Sequence, residues 1–277
     1  MASFLISTDD LAAQLNAPDL KIVDASWHLD GRDACAEFEQ ARIPGAIFFD
    51  LDAVSDHTTD LPHMLPDAAA FAEAVGALGI AASDRIVVYD SQGLFSAARV
   101  WWTFRLMGAE DVLVLNGGLP KWRAEGRLLV SGPAEPPTPS VFTPGRHRGA
   151  VADMPTVLAA LTGDAQILDA RPAARFSGEV AEPRPGLRSG HMPGALNVPF
   201  KSVLDADGRL LPTEALRDRF REAGVTFDRP IITSCGSGVT AAVLTLALAE
   251  LGHDSALYDG AWADWGSRED TPVVTRL

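Results

Sequence analysis

The stretch IITSCGSGVTAAVLTLALAEL, residues 231–251, sets one of the chain's two cysteines between a β-branched apolar run and a long alanine/leucine run. A thiol in that place can pack, bind metal or react. Packing is the commoner fate of a free cysteine. Here, however, Cys235, Gly236, Ser237 and Gly238 form a short turn whose glycines open backbone conformations closed to other residues, so that consecutive amides can converge on one point. With the positive end of a following helix added, such a turn favours an anionic, nucleophilic sulfur. Two cysteines, Cys35 and Cys235, make neither a disulfide framework nor a zinc site by themselves. His57, His63 and the aspartates near them lack the regular spacing of a metal-ligand set. Two further groups have chemical potential. Arg175 and Arg184 lie in the Gly/Pro-rich RPAARFSGEVAEPRPG, where guanidinium groups either clamp a carboxylate with paired donors or are simply solvated. Asp52 and His63 share the polar stretch DLDAVSDHTTDLPHML.

The elements that must position these residues occur twice. IVDAS (22–26) returns as ILDAR (167–171), RIPGAIFFDL (42–51) as HMPGALNVPF (191–200), and NGGLPKW (116–122) as DGAWADW (259–265). RIVVYDSQGLFSAA (85–98) aligns with PIITSCGSGVTAA (230–242), which sets Ser91 opposite Cys235. Four matches in one order indicate a duplicated domain of about 130 residues. Between the copies, residues 131–149 hold five prolines from Pro133 to Pro144 and read as an extended linker laid over the surface. In each copy β-branched runs (KIVDAS, RIVVYD, DVLVLN; QILDA, PIITS, SALYD) alternate with amphipathic patterns, the signature of a parallel sheet covered by helices. In such sheets ligands sit at the carboxyl ends of the strands, which is where Cys235 follows PIITS. Trp101, Trp102, Trp122, Trp262 and Trp265 fall in structural contexts, Cys35 is a passive residue of a helix-like stretch, and Arg171 and Arg188 are read as structural.

Composition narrows the function classes. With 47% hydrophobic and 22% charged residues in 277, the chain has material for two ordinary cores. A formal net charge of −14 excludes an extended nucleic-acid or anionic-membrane surface, so any anion must be held by a few placed arginines. No apolar run approaches the ~18 residues of a membrane span. The start MASFLISTDDLAAQLNAPDL has neither a basic region followed by an apolar run nor the arginine-rich character of a transit peptide, and a cytoplasmic protein is expected.

CGSGVTA, with RIPGAIFFDLD, HMLP, RVWW, GRDA, SGHMPGALNVPF and YDGAW, resembles the rhodanese superfamily, specifically its tandem-domain sulfurtransferases, over nearly the whole chain. The resemblance implies an α/β fold of two rhodanese-like domains, each a parallel sheet flanked by helices. Residues 1–138 would lack the nucleophile and serve as scaffold and wall of the site, and residues 150–277 would be catalytic. It implies transfer of sulfane sulfur from the small-molecule donor 3-mercaptopyruvate, through a Cys235 persulfide, to cyanide or a thiol acceptor such as thioredoxin or a small thiol. Pyruvate is released, and no cofactor or metal takes part. On the same resemblance Arg175 and Arg184 match carboxylate-binding arginines, and Gly236, Gly238, Val239 and Thr240 surround the bound donor. Ser237, His63 and Asp52 match a proposed serine-protease-like relay. Departures are informative. Cysteine phosphatases of the superfamily carry an arginine six residues after the cysteine, where this chain has Ala241. Thiosulfate-preferring relatives carry basic residues where Gly236 and Ser237 stand, and Phe95 replaces a tyrosine of relatives. The alternatives at this level are a thiosulfate sulfurtransferase and a persulfide carrier or redox-sensing module without turnover.

Overall fold

The computed structural model describes residues 3–146 and 148–275. The terminal residues of the two expected domains, 1–2 and 276–277, and His147 of the linker lie outside the described residues. The chain forms two compact units. The first runs through Asp56, resumes over Leu65–Arg148 and takes in Ala206–Leu210. The second comprises His57–Met64, Gly149–Asp205 and the chain from Leu211 on.

In the first unit the elements are β1 (Leu5–Ile6), α1 (Thr8–Ala12), β2 (Leu20–Asp24), α2 (Ala34–Gln40), β3 (Ala46–Phe48), α3 (Ala68–Ala77), β4 (Arg85–Tyr89), α4 (Ala97–Leu106), β5 (Asp111–Leu115) and α5 (Gly118–Ala124). The strands pair in parallel in the order β1-β5-β4-β2-β3. Side chains alternate across the sheet. Val87 and Tyr89 of β4 pack with Ile22, Leu11 of α1, Phe38 of α2 and Trp122 of α5 on one face. Ile86 and Val88, also fully buried, project to the other face, where α4 packs on β4 and β5. There Phe71, Phe104 and Phe142 meet in tilted and edge-to-face contacts. Phe142 belongs to the proline-rich segment, which is therefore extended but anchored. Ser140 N donates to Gly76 O at 2.8 Å, and Arg42 Nη1 donates to Gly132 O at 2.6 Å.

The second unit repeats the plan with β6 (Ala150–Ala152), α6 (Met154–Ala160), β7 (Gln166–Asp169), α7 (Ala173–Phe176), β8 (Leu196–Asn197), a 3-10 turn (Phe200–Val203), α8 (Thr213–Glu222), β9 (Ile231–Ser234), α9 (Ala241–Glu250), β10 (Ala256–Tyr258) and α10 (Ala261–Trp265). Its parallel order is β6-β10-β9-β7-β8. Ile167, Ile232 and Tyr258 pack against Val157 of α6 and Trp262 and Trp265 of α10. α9 is buried at every position from Ala241 to Leu248, which is why AAVLTLALAE carries no polar stripe. The expected strands are all present; β1, β3, β6 and β8 are added at the sheet edges, each only two or three residues long.

The two registers correct one alignment. Asp24 pairs with Tyr89, and Asp169 pairs with Ser234. The next residue in each unit, Asp90 or Cys235, offers its carbonyl to the helix after the last strand: Leu119 N donates to Asp90 O at 3.0 Å, and Trp262 N to Cys235 O at 2.9 Å. Asp90, not Ser91, therefore stands in the place of Cys235. The first unit has one more residue between this position and the next helix than the second, and that extra residue shifts an alignment anchored on the helix.

Burial raises the carboxyl of Asp24, at the end of β2, to about 6; hydrogen bonds from Ser26 and Tyr89 oppose the shift, and Asp90 adds to it. Because the native state holds this proton above the carboxyl's ordinary value of 3.8, native protein binds more protons than unfolded protein between those two values. Stability contributed by the neutral form is complete below 3.8 and is lost as pH rises through about 6. Relative to Asp24→Asn, the wild type is expected to lose on the order of 2–3 kcal/mol between pH 4 and pH 7. Urea unfolding of both proteins across that range checks it, and parallel stability curves contradict it.

Candidate active site

Cys235 directly follows β9 and is 2% exposed. The turn after it is fixed from below by α10: Cys235 O accepts from Trp262 N and Gly236 O accepts from Ala263 N at 3.0 Å. In trans peptides the N–H points opposite to the C=O, so the amides of Gly236 and Ser237 face away from α10. Gly238 has φ +78°, a left-handed conformation that glycine adopts without strain, and it turns the chain into Val239, Thr240 and α9. Val239 is buried and Thr240 precedes the first helical residue.

The same turn in the first unit reveals what it can hold. The Asp90 carboxylate accepts from Gln92 N at 2.8 Å, Phe95 N at 2.7 Å and Ala97 N at 2.9 Å. A carboxylate thus sits among amides at the start of α4. This turn geometry accommodates an anionic side chain at the position that is cysteine in the second unit.

Three of the sequence candidates gather around Cys235. His63 Nδ1 and Ser237 Oγ are hydrogen-bonded at 3.0 Å, with His63 4% and Ser237 5% exposed. His63 has φ +59°, an uncommon conformation for a residue with a Cβ, and its segment His57–Met64 groups with the second unit. Arg175, at the end of α7, lies over Gly236: a Cβ built on that glycine would stand 2.9 Å from Arg175 Nη2. Gly236 therefore leaves the room that the guanidinium uses. Arg184 is half-buried in the loop after α7. Asp52 lies in the first unit, where its Oδ2 accepts from Trp27 Nε1 at 3.0 Å.

A residue not singled out from sequence holds Arg175 in place. The Glu182 carboxylate, its side chain 1% exposed, accepts from Arg175 through both Nε and Nη2. Its Oε1 also accepts from Arg171 Nη1 at 2.8 Å. Arg171 in turn is held by Asp169 through Nε and Nη2, donates to Gly190 O and stacks on Trp262. Asp169, Arg171, Glu182 and Arg175 form one buried ionic chain from the end of β7 to Gly236. Arg188 is occupied with the carbonyls of Trp265, Gly266 and Thr271. The only sequence signal for Glu182 is an acid lying between two arginines in a loop. Cys35 is exposed on α2 and its thiol is pushed up by desolvation and by the acids Glu39, Asp33 and Asp50. No cluster of three or more metal-ligating side chains occurs among the described residues, and no described helix is long and apolar enough to cross a membrane.

A buried cysteine in a glycine turn at the carboxyl end of a parallel strand, in the second of two matching α/β units, defines a class, and comparison with known proteins agrees. The rhodanese-like domain model matches residues 7–125 and again 154–268, and the chain belongs to that family as a tandem of two such domains. It is 46% identical over 275 residues to the 3-mercaptopyruvate sulfurtransferase of Escherichia coli K12, covering 98% of each chain. It is 43% identical to the mitochondrial thiosulfate/3-mercaptopyruvate sulfurtransferase 1 of Arabidopsis thaliana, covering 97% of this chain and 77% of that one. The crystal structure of SseA from Escherichia coli, a 3-mercaptopyruvate sulfotransferase of rhodanese fold, superposes with a TM-score of 0.86 at 45% identity, covering 94% of this chain and 99% of that one.

Glu182→Gln is expected to destabilise the second unit by about 3 kcal/mol, the low end for breaking a buried ion pair because Asp169 still compensates Arg171. Urea unfolding measures it. A loss below about 1 kcal/mol would show that the chain of charges is not a structural unit.

Proposed function

We propose that the protein is a 3-mercaptopyruvate sulfurtransferase in which Cys235 carries the sulfur. The observation that supports this most is the Arg175 guanidinium held against Gly236 by Glu182, one residue from a buried thiol. A cation placed there suits a donor whose carboxylate is two carbons from the sulfur-bearing carbon, and Arg184 adds a second donor set. The Cys235 thiolate attacks the thiol sulfur of 3-mercaptopyruvate. The carbon–sulfur bond breaks and its electron pair stays on the carbon as the enolate of pyruvate, which takes a proton to give pyruvate. Ser237, hydrogen-bonded to His63, is the proton donor in this reading. The Ser237 amide and the N-terminus of α9 stabilise the Cys235 persulfide, as Gln92 N and the amides at the start of α4 hold Asp90 in the first unit. A thiolate, from a small thiol or a reduced thioredoxin, or cyanide, then attacks the outer sulfur and restores the Cys235 thiolate. The reaction balances without metal or organic cofactor. Both cysteines are free, which suits the reducing cytoplasm in which such acceptors occur. The 1–138 half carries Asp90 in the nucleophile's place and serves as scaffold.

Cys235→Ser is expected to abolish sulfur transfer while Cys35→Ser leaves it intact, measured as pyruvate release with a thiol acceptor; retained transfer in the Cys235 variant overturns the reading. Arg175→Ala and Arg184→Ala should each raise KM for 3-mercaptopyruvate by the worth of a charge-assisted hydrogen bond, about 1.5–3 kcal/mol, with thiosulfate kinetics changed less. Equal losses on both donors would assign the arginines to structure. Thiosulfate is a compact dianion that the uncharged CGSGVT turn compensates poorly, so kcat/KM should favour 3-mercaptopyruvate by at least ~100-fold, about 2.7 kcal/mol. Comparable efficiencies would favour a thiosulfate sulfurtransferase instead.

A further inference from the structure

The duplication shows which side chains fill a given place in one unit and are missing in the other. In the second unit the buried Asp169 is paired with the Arg171 guanidinium, which lies 4.2 Å from the Trp262 ring centre. By the strand registers and the matching Leu119 and Trp262 hydrogen bonds, Asp24, Ser26 and Leu119 are the first unit's counterparts of Asp169, Arg171 and Trp262. The acid is kept, but its guanidinium and the ring that the guanidinium stacks on are replaced by a hydroxymethyl and an isobutyl group. What remains is a cleft of about 550 Å³ lined by Asp24, Ser26, Glu37, Leu119 and Arg123 among others.

Asp24 is 2% exposed and its partners are neutral: Ser26 N at 2.9 Å, Ser26 Oγ at 2.5 Å and the Tyr89 hydroxyl. Arg32, also at the cleft, is already committed to Glu37 at 2.7 Å and Asp30 at 3.1 Å. Arg123 is exposed. A buried carboxylate beside an open cleft, with the cation that neutralises its counterpart deleted, presents a cation-shaped gap. The raised carboxyl of Asp24 is the expected consequence of that missing partner. The net charge of −14 draws cations rather than anions toward it.

We propose that this cleft in the first unit binds a small organic cation, a guanidinium or primary ammonium head on a short alkyl chain, with Asp24 as its counter-ion and Leu119 beneath it. The site is separate from Cys235 and does not rest on the sulfur-transfer reading.

Methylguanidinium chloride is the probe, titrated calorimetrically into the intact protein at pH 8 and pH 5 against sodium chloride. Saturable binding in the millimolar range is expected at pH 8, at least tenfold weaker at pH 5 and in Asp24→Asn. It should be abolished in Ser26→Arg, which supplies the second unit's guanidinium from within. Arg32, Glu37 and Arg123 also face the cleft, Tyr89 and Asp90 act on the Asp24 carboxyl itself, and His28 is bonded to Glu37, so the pH effect is read as the difference between wild type and Asp24→Asn. Absence of saturable binding at pH 8 overturns the proposal, as does equal affinity in Asp24→Asn or in Ser26→Arg. The Ser26 variant keeps the test decisive if the Asp24 variant does not fold.

Discussion

The site depends on a buried ionic chain. A guanidinium held rigidly beside a thiol loses little conformational freedom when it meets a carboxylate, whereas a mobile arginine must be ordered first. Glu182 supplies that rigidity to Arg175, and it can do so only because Arg171 and Asp169 anchor it to the end of β7. Each member would be costly alone in a dry interior; together they offset one another's desolvation. The glycine at 236 completes the arrangement, since a Cβ there would push on the guanidinium. The ion chain and the neutral turn are therefore one construction: charge is placed against Gly236 from α7, not carried within the turn itself.

The two units illustrate how a duplicated fold divides its work. Both place a turn after the central strand, with its first carbonyl bonded to the helix that follows the next strand. In one unit the turn is closed by its own carboxylate, Asp90, which satisfies three amides internally. In the other, the cysteine brings no carboxylate to the turn, and the proposed persulfide would use those amides instead. Conversely, the carboxylate at the end of the neighbouring strand is neutralised in the second unit by Arg171 and left without a cation in the first, where a cleft remains. Complementary losses of this kind are what two copies released from identical roles would accumulate.

Much of this was legible in the residues. The β-branched runs KIVDAS, RIVVYD, QILDA and PIITS became the central strands because their burial on both faces leaves no polar alternation to confuse them. Cys235, Ser237, His63 and Arg175 were marked by motif, and the structure gathers them about one turn. The rest depended on contacts across sequence distance. β3 and β8 are too short for a periodic signal. The one-residue difference between turns hid Asp90 behind Ser91. Glu182 had no pattern of its own, because its role follows from burial against two arginines rather than from spacing. That residues 57–64 group with the second unit could not be read from their composition, which is that of any polar loop.

The central claim is that sulfur rests on Cys235 between donor and acceptor. Intact-mass and peptide mass spectrometry after a single turnover with 3-mercaptopyruvate, with no acceptor present, tests it most directly. One added sulfur atom on the Cys235 peptide, matched by one equivalent of pyruvate, is the expected result. Pyruvate released without sulfur on Cys235, or sulfur found on Cys35 instead, would contradict it.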